Sequence, residues 1–120
     1  MSDEKTMHIG EVAERTSLSL RTLRHYDDIG LVNPSGRTEG GFRLYTEADV
    51  ARIMLVRRMK PLGYALDQMR DVLAIFDALT ADPGSASDRE SLISIRQTAE
   101  ERRERLVEQV AMADEFLEQL

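Results

Sequence analysis

The sequence predicts a mainly α-helical fold: a compact helical head that carries a small β wing, followed by one long coiled-coil helix. Three observations lead there. Two short segments with apolar residues at helical spacing, 8–16 and 20–28, meet at the tight turn Ser17-Leu18-Ser19. A glycine-rich stretch, NPSGRTEGGFRLY over 33–45, breaks the helical pattern and ends in alternation. From residue 92 onward, Leu92, Ala99, Leu106, Ala113 and Leu120 recur at strict intervals of seven.

Composition narrows the possibilities. Of 120 residues, 42% are hydrophobic and 32% charged, with few aromatics, which suits helices around a small core better than a large enclosed pocket. There is no cysteine, so disulfides, thiolate metal sites and cysteine redox sensing are excluded, and no cofactor is expected. No apolar run approaches the roughly 20 residues needed to span a bilayer, and the polar opening MSDEKT is no signal peptide. The expectation is a soluble cytoplasmic protein with no membrane partner. A net charge of -6 argues against nucleic acid as a partner, but the charge is uneven. Residues 1–63 carry ten Lys and Arg against nine Asp and Glu, whereas 64–120 carry six against thirteen. The acidity belongs to the C-terminal half.

Residues 1–7 are expected to form a flexible tail. Ile9, Val12 and Ala13 predict a first helix from about His8 to Thr16. Ser19 is placed as the N-cap of a second helix, which runs to about Asp28 before Gly30 stops it. Two short helices around a tight turn make a helix-turn-helix. Gly40-Gly41 before the alternating Phe42 and Leu44 signals a hairpin, because glycine reaches the positive φ that tight turns need. Thr46-Glu47-Ala48-Asp49 opens a third helix as a variant capping box, and Pro61 and Gly63 end it. A fourth helix is expected over 66–79, with Leu66, Met69, Val72, Leu73 and Phe76 on one face. TADPGSAS, residues 80–87, reads as a linker.

Ser87 with Glu90 forms a capping box for a last helix over 88–120. Its companion heptad positions are Ile95, Arg102, Gln109 and Phe116. The expectation is pairing with a second copy; folding back within one chain, or docking on an unrelated partner, is the alternative. A parallel pair sets Arg102 against Arg102 and Gln109 against Gln109, whereas an antiparallel pair gives Leu92 against Phe116 and Ile95 against Ala113, the better packing. Such a helix is roughly 50 Å long. It can hold two reading heads about 34 to 36 Å apart on one face of DNA, which implies a palindromic operator.

If Leu20 and Leu23 face inward, helical geometry exposes Arg21, Arg24 and His25 on the second helix. Arginine supplies a planar fork for guanine edges or phosphates. Thr22 is small enough to let the backbone approach, and Tyr26 either packs in the core or donates its hydroxyl to a phosphate. Arg37 and Arg43 flank the wing glycines, in position to grip phosphates. Arg57, Arg58 and Lys60 cluster at the end of the third helix, as part of the phosphate track or as partners of the helix dipole. An apolar cleft between the fourth helix, the linker and the partner's coiled coil, lined by Met69, Leu73, Phe76 and Phe116, is a candidate ligand pocket, and core packing explains the same residues.

IGEVAERTSLSLRTLRHYDDIGLVNPSGRTEGGFRLYTEADVARI resembles the N-terminal DNA-binding domain of the MerR family of bacterial transcription regulators. The resemblance covers residues 8 to about 79, and the long helix is similar to that family's antiparallel dimerisation helix. It implies a winged helix-turn-helix domain over 8–79, a linker over 80–87 and a coiled-coil dimerisation helix over 88–120. It also implies a homodimer on double-stranded promoter DNA that distorts the spacer so that RNA polymerase can engage both promoter elements. By position, Ser19, Arg21, Thr22, Arg24, His25 and Tyr26 match the recognition helix and Arg37 and Arg43 match the wing. Tyr26 and Arg43 are the firmest phosphate contacts on this reading. His25 stands where many members have tyrosine, Ala65 replaces a common serine cap, and Pro61 sits in what is usually a continuous helix end. The stretch after the coiled-coil start holds neither a cysteine loop nor a large ligand domain, so the expected type is a short form without a separate effector domain.

An architectural or excisionase-like DNA-bending protein without a promoter role is the alternative function, and the long self-pairing helix argues against it. A third reading is a protein-interaction module whose helix-turn-helix is vestigial. Enzymatic activity is not expected: the two histidines lie on different elements, and Asp27 and Asp28 occupy adjacent helix positions that point apart.

Overall fold

Short polar caps and single glycines set the boundaries of this fold, which a computed structural model describes for residues 5–120. The order is β1 (Thr6–His8), α1 (Ile9–Thr16), α2 (Leu20–Asp28), β2 (Gly36–Arg37), β3 (Arg43–Thr46), α3 (Glu47–Met59), a 3-10 turn (Lys60–Leu62), α4 (Leu66–Ala81) and α5 (Ala86–Glu118). The chain divides into two compact units between Arg58 and Met59.

In the first unit, α1 ends at Ser17, which adopts the left-handed region with φ 57. Ser19 caps α2 as expected, its Oγ accepting the Thr22 N–H at 3.0 Å. The far end of α2 closes in a Schellman arrangement: Gly30, at φ 69, donates to the Asp27 carbonyl, and Leu31 donates to the Tyr26 carbonyl. Leu23 and Tyr26 turn inward from α2, and Val12 does so from α1. Tyr45, Val50, Ile53 and Val56 are buried as well.

The wing forms where the glycines predict it. β2 and β3 pair antiparallel, Gly36 with Leu44 and Arg37 with Arg43, around a turn in which Gly41 has φ 84. The sheet has a third strand, Thr6–His8, where the sequence predicts the end of a flexible tail and, at His8, the start of the first helix. Thr6, Met7 and His8 pair with Thr46, Tyr45 and Leu44, giving the order β1-β3-β2. Met7 is buried opposite Tyr45, which is the physical reason this part of the tail is ordered. Residues 1–4, the rest of the expected tail, lie outside the described residues.

The capping box at the start of α3 is reciprocal, with Thr46 and Asp49 bonding each other's backbone N–H. Asp49 is buried and also accepts the Ser35 N–H at 2.9 Å, tying the approach to the wing to the helix start.

In the second unit, Pro61 sits in the 3-10 turn, which Gly63 closes at φ 78. Gln68 Oε1 accepts the Ala65 N–H at 2.9 Å, and alanine offers no acceptor in return, so α4 starts on half a box. Met69, Val72 and Leu73 are buried along α4, while Leu66 and Phe76 of the predicted face stay exposed. The linker is shorter than expected: α4 continues to Ala81, and the connection is residues 82–85. Ser85, not Ser87, caps α5, accepting the Asp88 N–H at 3.3 Å. The turn before it is closed by Asp82, whose Oδ1 accepts the Gly84 N–H, and this sets the helix start two residues before Asp88.

Candidate nucleic-acid interface

α2 shows two faces. Leu23 and Tyr26 belong to the core, and Arg21, Arg24 and His25 are exposed together on the other side. Ser19 and Thr22 are already engaged with each other, their hydroxyl oxygens 2.9 Å apart, so their first role is to start the helix. For Tyr26, 6% exposed, the structure selects core packing for the ring, and burial pushes its phenol above the ordinary range.

The wing arginines, expected to grip phosphates, are both engaged within the fold. Both turn toward the end of α2, where Arg37 Nη2 and Arg43 Nε reach the same oxygen, Asp27 Oδ2, at 2.8 and 2.7 Å. Asn33 Nδ2 donates to the other oxygen at 2.8 Å and to the Asp27 carbonyl at 3.0 Å. Burial pushes the Asp27 carboxyl up, but the hydrogen bonds from Asn33, Arg43 and Arg37 outweigh it and hold the group at about 2. Asp28 is more loosely associated, 3.8 Å from Arg43 Nη2. Sequence reasoning passed over Asp27 and Asn33 as site residues. The available signal was the helix dipole, which disfavours an acid in the last turn unless a cation or hydrogen-bond donor meets it.

Arg57 and Arg58 are exposed in the last turn of α3, and Lys60 is exposed at the start of the 3-10 turn. Among the described residues no cluster of His, Cys, Asp and Glu suits a metal ion. No helix among them is long and apolar enough to cross a membrane.

A capped helix-turn-helix, a cationic α2 face and a wing braced on the end of α2 meet in a single unit. The family model described as MerR HTH family regulatory protein matches residues 7–74, more than half of the chain. The chain belongs to the MerR family. It is similar to the HTH-type transcriptional activator mta of Bacillus subtilis, with 43% identity over 65 residues, 54% of this chain and 25% of that one. It is also similar to the HTH-type transcriptional regulator ZntR of Escherichia coli K12, with 34% identity over 104 residues, 87% of this chain and 71% of that one. Among solved structures, MtaN, the N-terminus of the Bacillus subtilis multidrug transporter activator, is 32% identical; the match covers 92% of this chain and 97% of that one, with a TM-score of 0.57. The chain thus spans only a quarter of the length of the first of these relatives.

In this MerR-family chain the expected pairing seam of α5 falls into two parts. Leu92, Ile95, Ala99 and Arg102 are half-buried within their own unit. Arg102 lies 4.2 Å over the centre of the Tyr64 ring and donates to the Leu62 carbonyl and to Gln68 Oε1, both at 3.3 Å. These contacts lie within its own unit, at a position that the heptad places in the pairing seam. From Leu106 onward the seam positions Gln109, Ala113, Phe116 and Leu120 are exposed. So are Val110 and Leu117, which the strict heptad left out. At 100° per residue, Leu106, Val110, Ala113, Leu117 and Leu120 fall within about a quarter-turn, with Gln109 and Phe116 to one side.

Of the residues expected to line an apolar cleft, Met69 and Leu73 are core, while Phe76 and Phe116 are exposed. A different cleft, about 160 Å³, opens beside Tyr64, Gln68, Val72, Ile95 and Arg102.

Proposed function

We propose that this chain is a sequence-specific DNA-binding transcription regulator, acting as an antiparallel homodimer on a palindromic promoter operator and distorting the spacer DNA. The observation that carries this is the exposed Arg21, Arg24 and His25 face of α2, on a helix capped by Ser19 and flanked by the wing. A capped helix of this size fits the major groove, where arginine reads guanine edges, and wing cations suit the backbone beside it. Two of its relatives, an HTH-type transcriptional activator and an HTH-type transcriptional regulator, support the reading.

Pairing falls to the C-terminal half of α5, where the stripe from Leu106 to Leu120 has no cover among the described residues. Arg58 and Lys60 extend the phosphate track. Deforming the duplex is the proposed mode of action, with RNA polymerase at the same promoter as the beneficiary. The reading is of a cytoplasmic regulator and not an enzyme.

The test is selection of a randomised duplex library on the purified chain, followed by footprinting. The expected result is one enriched palindrome, with half-sites about one helical turn apart and affinity that falls steeply with salt. A library that emerges unenriched refutes the reading.

A further inference from the structure

Asp27 carries two electrostatic penalties: it faces the negative end of the α2 dipole, and it adds a negative charge to a head that reads a polyanion. Its surroundings answer the first. The side chain is 8% exposed, and its oxygens take Asn33 Nδ2, Arg37 Nη2 and Arg43 Nε within 2.8 Å. Oδ2 alone meets two guanidinium groups that arrive from cross-strand partners of the wing, Arg37 on β2 and Arg43 on β3. These contacts occupy Arg37 through Nη2 and Arg43 through Nε. A guanidinium has five N–H donors, so each arginine has donors left for a phosphate.

Resting on the reading that α2 and the wing bind a duplex, we propose that Asp27 is a positioning residue, which holds Arg37 and Arg43 beside the end of the recognition helix as a preset phosphate clamp. An arginine loose in solvent surrenders side-chain entropy when it grips a phosphate, whereas one held by a buried carboxylate has surrendered it on folding. Asp27 touches no DNA in this account. It acts through the arginines, and Asn33 acts through Asp27.

The sign of one substitution separates this from a plain charge effect. Asp27→Asn removes a negative charge near the backbone, so charge alone predicts tighter binding. Positioning predicts weaker binding, by about tenfold, with a salt slope shallower by about one to two phosphate contacts. The probe is the duplex enriched on the wild-type chain, titrated at several salt concentrations, with thermal unfolding measured beside it. Asn33→Ala keeps every charge and both arginines, is less demanding of the fold, and is expected to weaken binding about threefold, the size of one hydrogen bond's net worth. In an Arg37→Ala, Arg43→Ala background nothing is left to position, and there Asp27→Asn is expected to tighten binding. Unchanged or tighter binding by folded Asp27→Asn and Asn33→Ala variants overturns the proposal, and Asn33→Ala decides alone if Asp27→Asn does not fold. A wild-type chain that enriches no duplex overturns the underlying reading instead, and this inference with it.

Discussion

Thr46 and Asp49 hold each other across the first turn of α3: the Thr46 N–H donates to Asp49 Oδ2 at 2.9 Å and the Asp49 N–H donates to Thr46 Oγ1 at 3.2 Å. Both residues are buried, and the same Asp49 oxygen also takes the Ser35 N–H. Asp49→Ala therefore strands two N–H donors, and the expected loss is about 2 to 4 kcal/mol. Thr46→Ala removes one cap acceptor, at about 1 kcal/mol. Urea midpoints at constant slope measure both, and equal losses from the two variants contradict the account.

Asp27 predicts a specific pH dependence. Its folded carboxyl stands at about 2, below the ordinary 3.8, so the native state binds the proton less readily than the unfolded chain. The stability this supplies is fully present above the ordinary carboxylate range and is lost as pH falls from there toward about 2. Its size is on the order of 2 kcal/mol. Glu47, paired with Arg15 at 2.6 Å on the surface, is also held below its usual value, so the difference between wild type and Asp27→Asn is the informative curve. Thermal unfolding across the acid range should show the two proteins converging as Asp27 protonates. A constant gap between them contradicts the assignment.

These two carboxylates also show how far the sequence could be read. Asp49 was legible, because a capping box is local: a threonine followed three positions later by an acid at a helix start implies their bonds without any knowledge of the fold. The same holds for Ser19 and for Gly41, whose roles depend on near neighbours. Asp27 was not legible in the same way, since its partners Asn33, Arg37 and Arg43 reach it only after the wing has folded back. Met7 was lost for a related reason: a three-residue strand holds too little alternation to announce itself, and its partner is Tyr45. On α5, periodicity identified the helix but could not tell which part of the stripe its own unit uses.

On α2, Arg24→Ala is expected to weaken binding to the selected duplex by about 1 to 3 kcal/mol and to relax preference at one base position. Arg58→Ala, at the exposed end of α3, should weaken binding evenly across sequences and lower the salt slope by about one contact. Competition titrations with single-base variants of the duplex distinguish the two behaviours. If Arg24→Ala leaves base preference intact, α2 is not the reading helix.

Dimerisation through the second half of α5 should depend on Val110 more than on Gln109. A strict heptad puts Gln109 in the seam, but Val110, 61% exposed, lies nearer the centre of the stripe shared by Leu106, Ala113, Leu117 and Leu120. Matched substitutions make the comparison clean, since Gln109→Asp and Val110→Asp add the same charge one residue apart. Burying a carboxylate in an apolar seam has a high desolvation cost, whereas placing it on the flank leaves it in water. Sedimentation equilibrium at micromolar concentration is expected to show Val110→Asp dissociating into monomers and Gln109→Asp remaining dimeric. The reverse pattern would restore the heptad register, and two unaffected dimers would move the pairing surface away from this half of the helix.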